Sequence, residues 1–424
     1  MERALVVFPT LWDARFLRGE QRAGRDRAEV IFSEPSDAEC SARLDILAHI
    51  ERLSELARRE GVGAIVTSSD YPGAPVAAAL AERLGLPGPR PAAVLESAHK
   101  YYSRVVQRAA LPEATPRFAL VDPEWRRGRG PPPFFPCFIK PVKGSFSVLA
   151  RRIGDEAELE AFLDQPAARE HVRATLQIYN RLLAAYTRLE LDGSWFLAEE
   201  VLRGKLVTVE GFATDEGVEL YGVTDAIVHP RTGSFLSFVH PSSLPAGVQA
   251  RMEDLTRKVV RALDLRRTPF NVELMFDEAT DQLSIVEVNP RMCGQFADLY
   301  EKVHGVHGYD VTLELALGGR PKVVRGAGTF PVAASVPLRV FEPARVARVP
   351  SPAEVAALEA EIPGLNVWVE VPEGAVLDDF ASGEDGHSVR YAVVNLGARD
   401  RAGLERAAEE LRERLGFVFE PLAR

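Results

Sequence analysis

Between residues 270 and 291 the chain alternates. Phe270, Val272, Leu274 and Phe276 fall on every second position, and a polar stretch separates them from a second apolar run at 283–288. Period-two alternation on both sides of a polar turn predicts a β-hairpin. Asn271 and Glu273 then point to the face opposite the phenylalanines. On the return strand the same period puts Ile285, Glu287, Asn289 and Arg291 on one face. With the turn centred near Thr280, Glu273 falls across from Glu287 and Asn271 across from Asn289. Like charges directly opposite destabilise a strand pair, and two neighbouring carboxylates push one pKa up. A hard divalent cation removes both penalties, since Mg²⁺ takes oxygen ligands from a few carboxylates and from phosphates. Taken alone, the same residues also read as a solvated polar face on an amphipathic hairpin.

The pattern elsewhere predicts a strand at 4–9, a helix near 39–60, a strand at 64–69 and an Ala-rich helix near 74–85. Strand–helix alternation of this kind implies a parallel sheet. No G-x-G-x-x-G follows the first strand, so a dinucleotide fingerprint is absent. A helix carrying Lys100 is expected through 93–109. A Pro-rich connection at 122–136 leads to a strand at 137–142, helices at 155–163 and 167–186, and strands at 195–201, 205–213 and 217–228. A helix at 246–264 precedes the hairpin, and helices near 296–303 and 309–317 follow it. After Gly318-Gly319 come Val-rich strands at 331–341, 366–371 and 388–395, and a charged helix at 400–415. The fold class expected is α/β, with α+β portions.

A length of 424 residues is too great for one ordinary core and implies two to four domains. The net charge of −10 argues against nonspecific nucleic-acid or anionic-membrane binding. Cys40, Cys137 and Cys293 are too far apart for a paired zinc or disulfide spacing. The N-terminal apolar run is too short for a signal peptide, and no segment approaches a membrane span, so a cytoplasmic location is expected.

Two further segments carry candidate chemistry. FIKPVKGSFS (138–147) is a strand ending in Lys140, followed by a loop of Gly and small hydroxyl residues. Such a loop brings backbone N–H groups near phosphate oxygens, and the lysine adds a point charge. It is not a P-loop, because the lysine precedes the loop. WFLAEEVLRG (195–204) ends an apolar strand with two acids and is suited to receive an adenine edge. An ordinary strand end is the alternative for each segment.

The order of these pieces is informative: HKYYSR (99–104), IKPVKGSFS, AEEVLRG, then Glu273 and Glu287-Val288-Asn289-Pro290-Arg291. The set resembles the ATP-grasp superfamily across nearly the whole chain, and more closely its carboxylate–amine ligase branch, including L-amino-acid and dipeptide ligases. Biotin carboxylase-like subunits share that architecture. The resemblance implies an N-terminal α/β pre-ATP-grasp domain (1–110), a small lid subdomain (111–202), a large subdomain with a metal site (203–320) and a small C-terminal α+β domain (321–424). It also implies ATP and Mg²⁺ as cofactors, with Mn²⁺ as an alternative ion. Lys100 and Lys140 match the lysines that contact ATP phosphates, and Gly144, Ser145 and Ser147 match the loop that closes over them. Glu199 matches the hinge acid near the adenine amino group, with Glu200, Val201 and Leu202 as neighbouring backbone and ring contacts. Glu273, Glu287 and Asn289 match the Mg²⁺ ligands. Arg291 matches the arginine that holds the reacting carboxylate or the acyl-phosphate oxygens, so Arg291 and Lys140 are the expected catalytic pair.

Several positions depart from the family pattern. Phe146 and Val148-Leu149 stand where relatives carry more glycine. Leu206 stands where many have a ribose-binding glutamate, which turns attention to Glu210. His99 replaces an aspartate, and Gly294-Gln295 replaces paired glycines. Asp225, His229, Arg231 and His240 lie where relatives place residues around the substrate pocket, whereas His304 and His307 read as surface or core residues. The implied activity is transfer of the γ-phosphoryl group to a carboxylate followed by attack of an amine, both small molecules, with an amino acid or amino-acid-like substrate expected. A homodimer is compatible with the resemblance. A biotin carboxylase-like carboxylase and a non-catalytic ATP-binding regulator are the alternatives.

Overall fold

The computed structural model describes residues 1–18, 26–128, 133–144, 148–172, 176–380 and 386–422. Residues 4–8 form an unbroken apolar run with no solvent exposure, as in a strand covered on both faces. Strand Glu2–Val6 accordingly lies between Ala28–Phe32 and Ala64–Val66, parallel to both. Helices Ile46–Glu60 and Gly73–Leu84 pack against this sheet. The strand at 28–32 and a helix at Leu11–Leu17 were not legible in the hydrophobic pattern.

The helix expected through 93–109 is two helices, Pro91–Ala98 and Lys100–Ala110, divided at His99. The His99 backbone is extended there (φ −86°, ψ 96°), and its ring meets the Asp192 carbonyl at 3.0 Å. The break places Lys100 at the very start of the second helix, where its N–H donates to the Val142 carbonyl (2.7 Å).

A four-stranded antiparallel sheet follows, in the order Phe118–Val121, Phe196–Glu200, Cys137–Pro141, Arg151–Ile153. Its buried face carries Val121, Ile139 and Phe196, covered by Leu159 and Phe162 of helix Glu156–Leu163. Helix Gln177–Tyr186 belongs elsewhere: Ile178, Tyr179 and Leu182 join the core of the N-terminal sheet with Leu5, Ile50 and Leu80. The subdomain expected at 111–202 therefore gives up one helix to its neighbour, because that helix's apolar stripe is buried on the N-terminal side.

The largest sheet has eight antiparallel strands. Their order is Gln282–Asn289, Thr268–Asp277, Lys205–Ala213, Val218–Val228, Phe235–His240, Val332–Val340, Val389–Ala398, Asn366–Val369. The division expected at 320 falls within this one sheet, since Phe235–His240 pairs directly with Val332–Val340. Strand Phe235–His240 is the unforeseen link; Gly233 and Pro241 punctuate it on either side. The turn that joins the four-stranded sheet to the eight-stranded one contains Gly204, at φ +122°. A Cβ there would lie 2.0 Å from the Phe276 carbonyl oxygen, so only glycine fits. Among the described residues, no helix is long and apolar enough to cross a membrane.

Candidate active site

The hairpin forms with the expected facing pairs: Glu273 opposite Glu287 and Asn271 opposite Asn289. One detail differs from strict alternation. The register shifts after Glu273, so that Leu274 pairs with Ile285 and Val286 is left as the extra residue of a β-bulge. Ile285 is consequently in the core with Val272 and Leu274, and does not share a face with Glu287. The spacing of core residues on the return strand, 283, 285 and then 288, records the same change of phase. Without the bulge, Glu273 would lie opposite Val286.

The bulge carbonyl has a use. Val286 accepts hydrogen bonds from Arg104 Nη2 (2.7 Å) and Lys140 Nζ (3.4 Å). Lys140 and Glu199 are diagonal neighbours on one face of the four-stranded sheet, and their side chains pair at 2.7 Å. The second Glu199 oxygen pairs with Arg104 Nε at 2.5 Å. Burial alone would raise the Glu199 carboxyl, but the Arg104 and Lys140 charges hold it below its ordinary value. Burial in turn lowers the Lys140 ammonium despite that partner. Lys100 completes the cluster, donating to the Gly144 carbonyl (2.7 Å) and pairing with Glu287 Oε1 at 2.8 Å.

These charges separate the hairpin acids. Burial tends to raise both, yet Lys100 and Lys140 keep Glu287 low. Glu273 is pushed up to about 7, first by burial and then by the Glu287 charge. Asn289 lines the same cleft, its Nδ2 directed at Asn271 Oδ1 over a long 3.5 Å. That orientation leaves its carboxamide oxygen to offer. Two carboxylates and a carboxamide oxygen are a donor set for a hard cation, and the raised Glu273 carboxyl marks the cost of leaving the pair without one. Among the described residues no cluster of three His, Cys, Asp or Glu side chains is arranged around a metal position.

Arg291 leaves the hairpin and reaches Asp70, Nε to Oδ1 at 3.5 Å. Asp70 also holds Lys143 at 2.7 Å. Lys143 thus serves the N-terminal side and not the Lys100–Lys140 cluster. A cavity of about 200 Å³ opens between the hairpin acids and Arg291, with Phe235, Phe238 and Phe296 on its far wall. The three rings pack in series, with centroids 4.9 and 4.7 Å apart.

Residues 133–298 match the family model described as the ATP-grasp domain. The chain thus contains an ATP-grasp domain. Solved structures similar over the whole length include L-amino acid ligase from Bacillus licheniformis, with TM-score 0.73, 15% identity and 99% of each chain covered. Phosphoribosylglycinamide synthetase from Anaerococcus prevotii matches with TM-score 0.67 and 12% identity over 99% of this chain and 100% of that one. The biotin carboxylase domain of Hydrogenobacter thermophilus 2-oxoglutarate carboxylase gives 0.66 and 16% over 99% and 90%. No curated protein sequence matches the chain.

The ATP-grasp fold thus gathers Lys100, Lys140, Gly144, Glu199, Glu273, Glu287, Asn289 and Arg291 into one region. Ser145 and Ser147, with Phe146, lie outside the described residues. Glu199 is engaged at both oxygens by cations and is placed beneath the lysine cluster instead of offering a free hinge acid. Glu200, Val201 and Leu202 are half-buried at the strand end, and the Glu200 N–H is taken by the Arg117 carbonyl (2.9 Å). Glu210, the alternative to a ribose-binding acid at Leu206, is buried and hydrogen-bonded within the sheet. It is 2% exposed and accepts from Asn271 Nδ2 and the Cys293 N–H, both at 2.9 Å. It is thereby bonded to the first hairpin strand, and burial pushes it up to about 7.

The four pocket candidates at 225–240 are also displaced. Asp225 is tied to Ser243 and Arg401, and Arg231 is exposed. His229 is paired with Thr232, and His240 is fully buried against His304, Nε2 to Nε2 at 2.9 Å. Ala226, Gly233, Phe235 and Phe238 of the same segment line the cavity in their place. His304 and His307 are both buried, in agreement with a core reading.

Two site residues were missed. Asp70 follows the strand Ala64–Val66, and polar residues at the carboxyl end of a parallel strand are its sequence signal. Arg104 sits one turn after Lys100. Lys100, Ser103, Arg104 and Gln107 are all buried, so this helix turns a polar stripe inward. Lys140→Ala is expected to weaken ATP binding at least tenfold more than Lys143→Ala, measured by titration calorimetry. Equal losses would place the phosphates at the wrong lysine.

Proposed function

We propose that this ATP-grasp protein is an ATP- and Mg²⁺-dependent ligase that activates a carboxylate as an acyl phosphate and couples it to an amine. The observation carrying this reading is the convergence of two facing hairpin acids, two lysines and Arg291 on one cleft. Phosphoryl transfer to a carboxylate brings one anion toward another, so the barrier is chiefly electrostatic. Lys100 and Lys140 supply positive charge on the phosphate side. Arg291 supplies a planar guanidinium for the acceptor carboxylate, held in orientation by Asp70. Glu273, Glu287 and Asn289 are the residues to hold Mg²⁺, which when bound neutralises phosphate charge. The γ-phosphoryl group passes to a carboxylate oxygen and ADP leaves. The amine nitrogen then bonds to the carbonyl carbon, phosphate departs, and the amine loses a proton.

The aromatic wall supports an acid with an apolar side chain, amino-acid-like in size. A 200 Å³ cavity faced by three phenylalanines exceeds what bicarbonate requires, which disfavours a carboxylase. The test is ADP and phosphate release with ATP, Mg²⁺ and a panel of acids and amines, with hydroxylamine present to trap the acyl phosphate as a hydroxamate. Hydroxamate formed only with apolar amino acids supports the reading. Turnover driven by bicarbonate alone, or nucleotide binding with no turnover on any pair, removes it.

A further inference from the structure

Lys140 and Lys143 lie three residues apart and face different parts of the molecule. Lys140 joins the cluster around Glu199, while Lys143 follows the end of strand Cys137–Pro141 and turns to the N-terminal side. The backbone after Lys140 is held residue by residue. The Val142 N–H donates to the Trp195 carbonyl (2.9 Å), and the Val142 carbonyl accepts from the Lys100 N–H (2.7 Å). His171 Nε2 donates to the Lys143 carbonyl (2.8 Å), and the Gly144 carbonyl accepts from Lys100 Nζ (2.7 Å). A segment pinned in this way ties the place of Lys143 to that of Lys140.

Lys143 is 4% exposed, deep among groups of the N-terminal side. Asp70 Oδ2 lies 2.7 Å from its ammonium, and the rings of Tyr71 and Tyr179 lie 5.5 and 6.0 Å from the charge. A buried ammonium is tolerated only with such partners, so Lys143 and Asp70 fix one another. The other Asp70 oxygen, Oδ1, faces Arg291 Nε at 3.5 Å. Arg390, a further cation beside the same space, is taken at two nitrogens by Glu370 (2.6 and 2.9 Å). The acids that face the Arg291 guanidinium are Asp70, Glu210 and Glu287. Glu210 is bonded to Asn271, and Glu287 is one of the two facing hairpin acids. Asp70 is therefore the acid that draws Arg291 away from Glu287. Lys143 itself stands outside the cavity beside the hairpin acids, which Asp70 and Arg291 line.

We propose that Lys143 is a positioning residue for the acid substrate: it fixes Asp70, and Asp70 holds the Arg291 guanidinium toward the acceptor carboxylate and off Glu287. The inference rests on the ligase reading above and goes beyond it. One short segment then serves both halves of the reaction, with Lys140 on the nucleotide side and Lys143 on the acid side.

The test uses the full chain, with hydroxamate formation from the best acid under saturating ATP, Mg²⁺ and hydroxylamine. Lys143→Met keeps the length of the side chain and removes the charge. It is expected to raise the acid KM by about tenfold or more, with a smaller fall in kcat. The ATP dissociation constant, measured by calorimetry, should stay within about twofold of the wild type, since Lys143 does not join the Glu199 cluster. Asp70→Asn should raise the acid KM as well, and the double variant should be no worse than Asp70→Asn alone, because both changes break one chain of contacts. Should Lys143→Met not fold, Lys143→Gln, which keeps a donor for Asp70 without the charge, is read by the same criteria. An acid KM that does not move, a loss confined to kcat, or losses that multiply in the double variant overturn the assignment. Absence of hydroxamate from the wild-type protein with every acid removes the ligase reading, and the positioning role with it.

Discussion

Glu287→Gln lowers Mg²⁺-dependent ADP formation by about a thousandfold or more while leaving the fold intact. Glutamine keeps the size of the side chain but removes the charge that faces Lys100 at 2.8 Å and that shares a strand pair with Glu273. A cation held by two carboxylates and a carboxamide would then be held by one carboxylate, and its affinity falls steeply with ligand charge. Single electrostatic groups aimed at developing charge are worth about two to three orders of magnitude in rate. Circular dichroism and thermal unfolding should show a native fold, because Lys100 keeps its bond to the Gly144 carbonyl. Turnover like that of the wild type in steady-state assays would remove Glu287 from the metal site.

Glu273→Gln is expected to raise stability at high pH while lowering activity as Glu287→Gln does. The Glu273 carboxyl lies at about 7 in the folded protein against an ordinary 4.5, through burial and then the Glu287 charge. Its folded pKa is raised, so between those two values the folded state holds the proton more tightly than the unfolded state. Stability contributed by that proton is full below about pH 4.5 and is lost as the pH climbs toward 7. Glutamine carries no proton to lose. The ligand-free variant is therefore expected to be more stable than the wild type at pH 8 by roughly 1–3 kcal/mol, a range that allows for water in the cleft. At pH 4.5 the difference should vanish. Thermal unfolding at the two pH values checks this, and a variant no more stable at pH 8 would mean that the facing acids do not repel. ADP formation by the variant should meanwhile fall to background.

Much of the site was legible because the hairpin residues obey a local rule. Period-two alternation and a turn near Thr280 were enough to put Glu273 across from Glu287. The rule failed at Ile285 because a bulge at Val286 shifts the phase, and only the spacing of apolar residues at 283, 285 and 288 hints at it. Arg104 was hidden for a different reason. Its buried stripe, Lys100, Ser103, Arg104 and Gln107, has helical spacing but polar content, and a search for apolar periodicity passes over it. Glu210 shows the converse limit: Leu206 in place of the family's acid turned attention to it, but long-range bonds from Asn271 and Cys293 engage its carboxylate, which sequence does not reveal. The mixed α/β class was readable from element order, whereas the union of 332–398 with the large sheet was not. That union depends on Phe235–His240, a strand whose only company in sequence is turn chemistry.

Among the described residues, the hairpin's return strand, Gln282–Asn289, ends the eight-stranded sheet and has a strand neighbour on one side only. Unpaired backbone along a sheet margin is a template for sticking to another chain, and proteins blunt it with bulges and cations. Here the bulged carbonyl of Val286 is capped by Arg104 and Lys140. In the proposed reading, the positive charge that serves phosphate chemistry also satisfies a carbonyl on this sheet margin, so Lys140 would carry two duties.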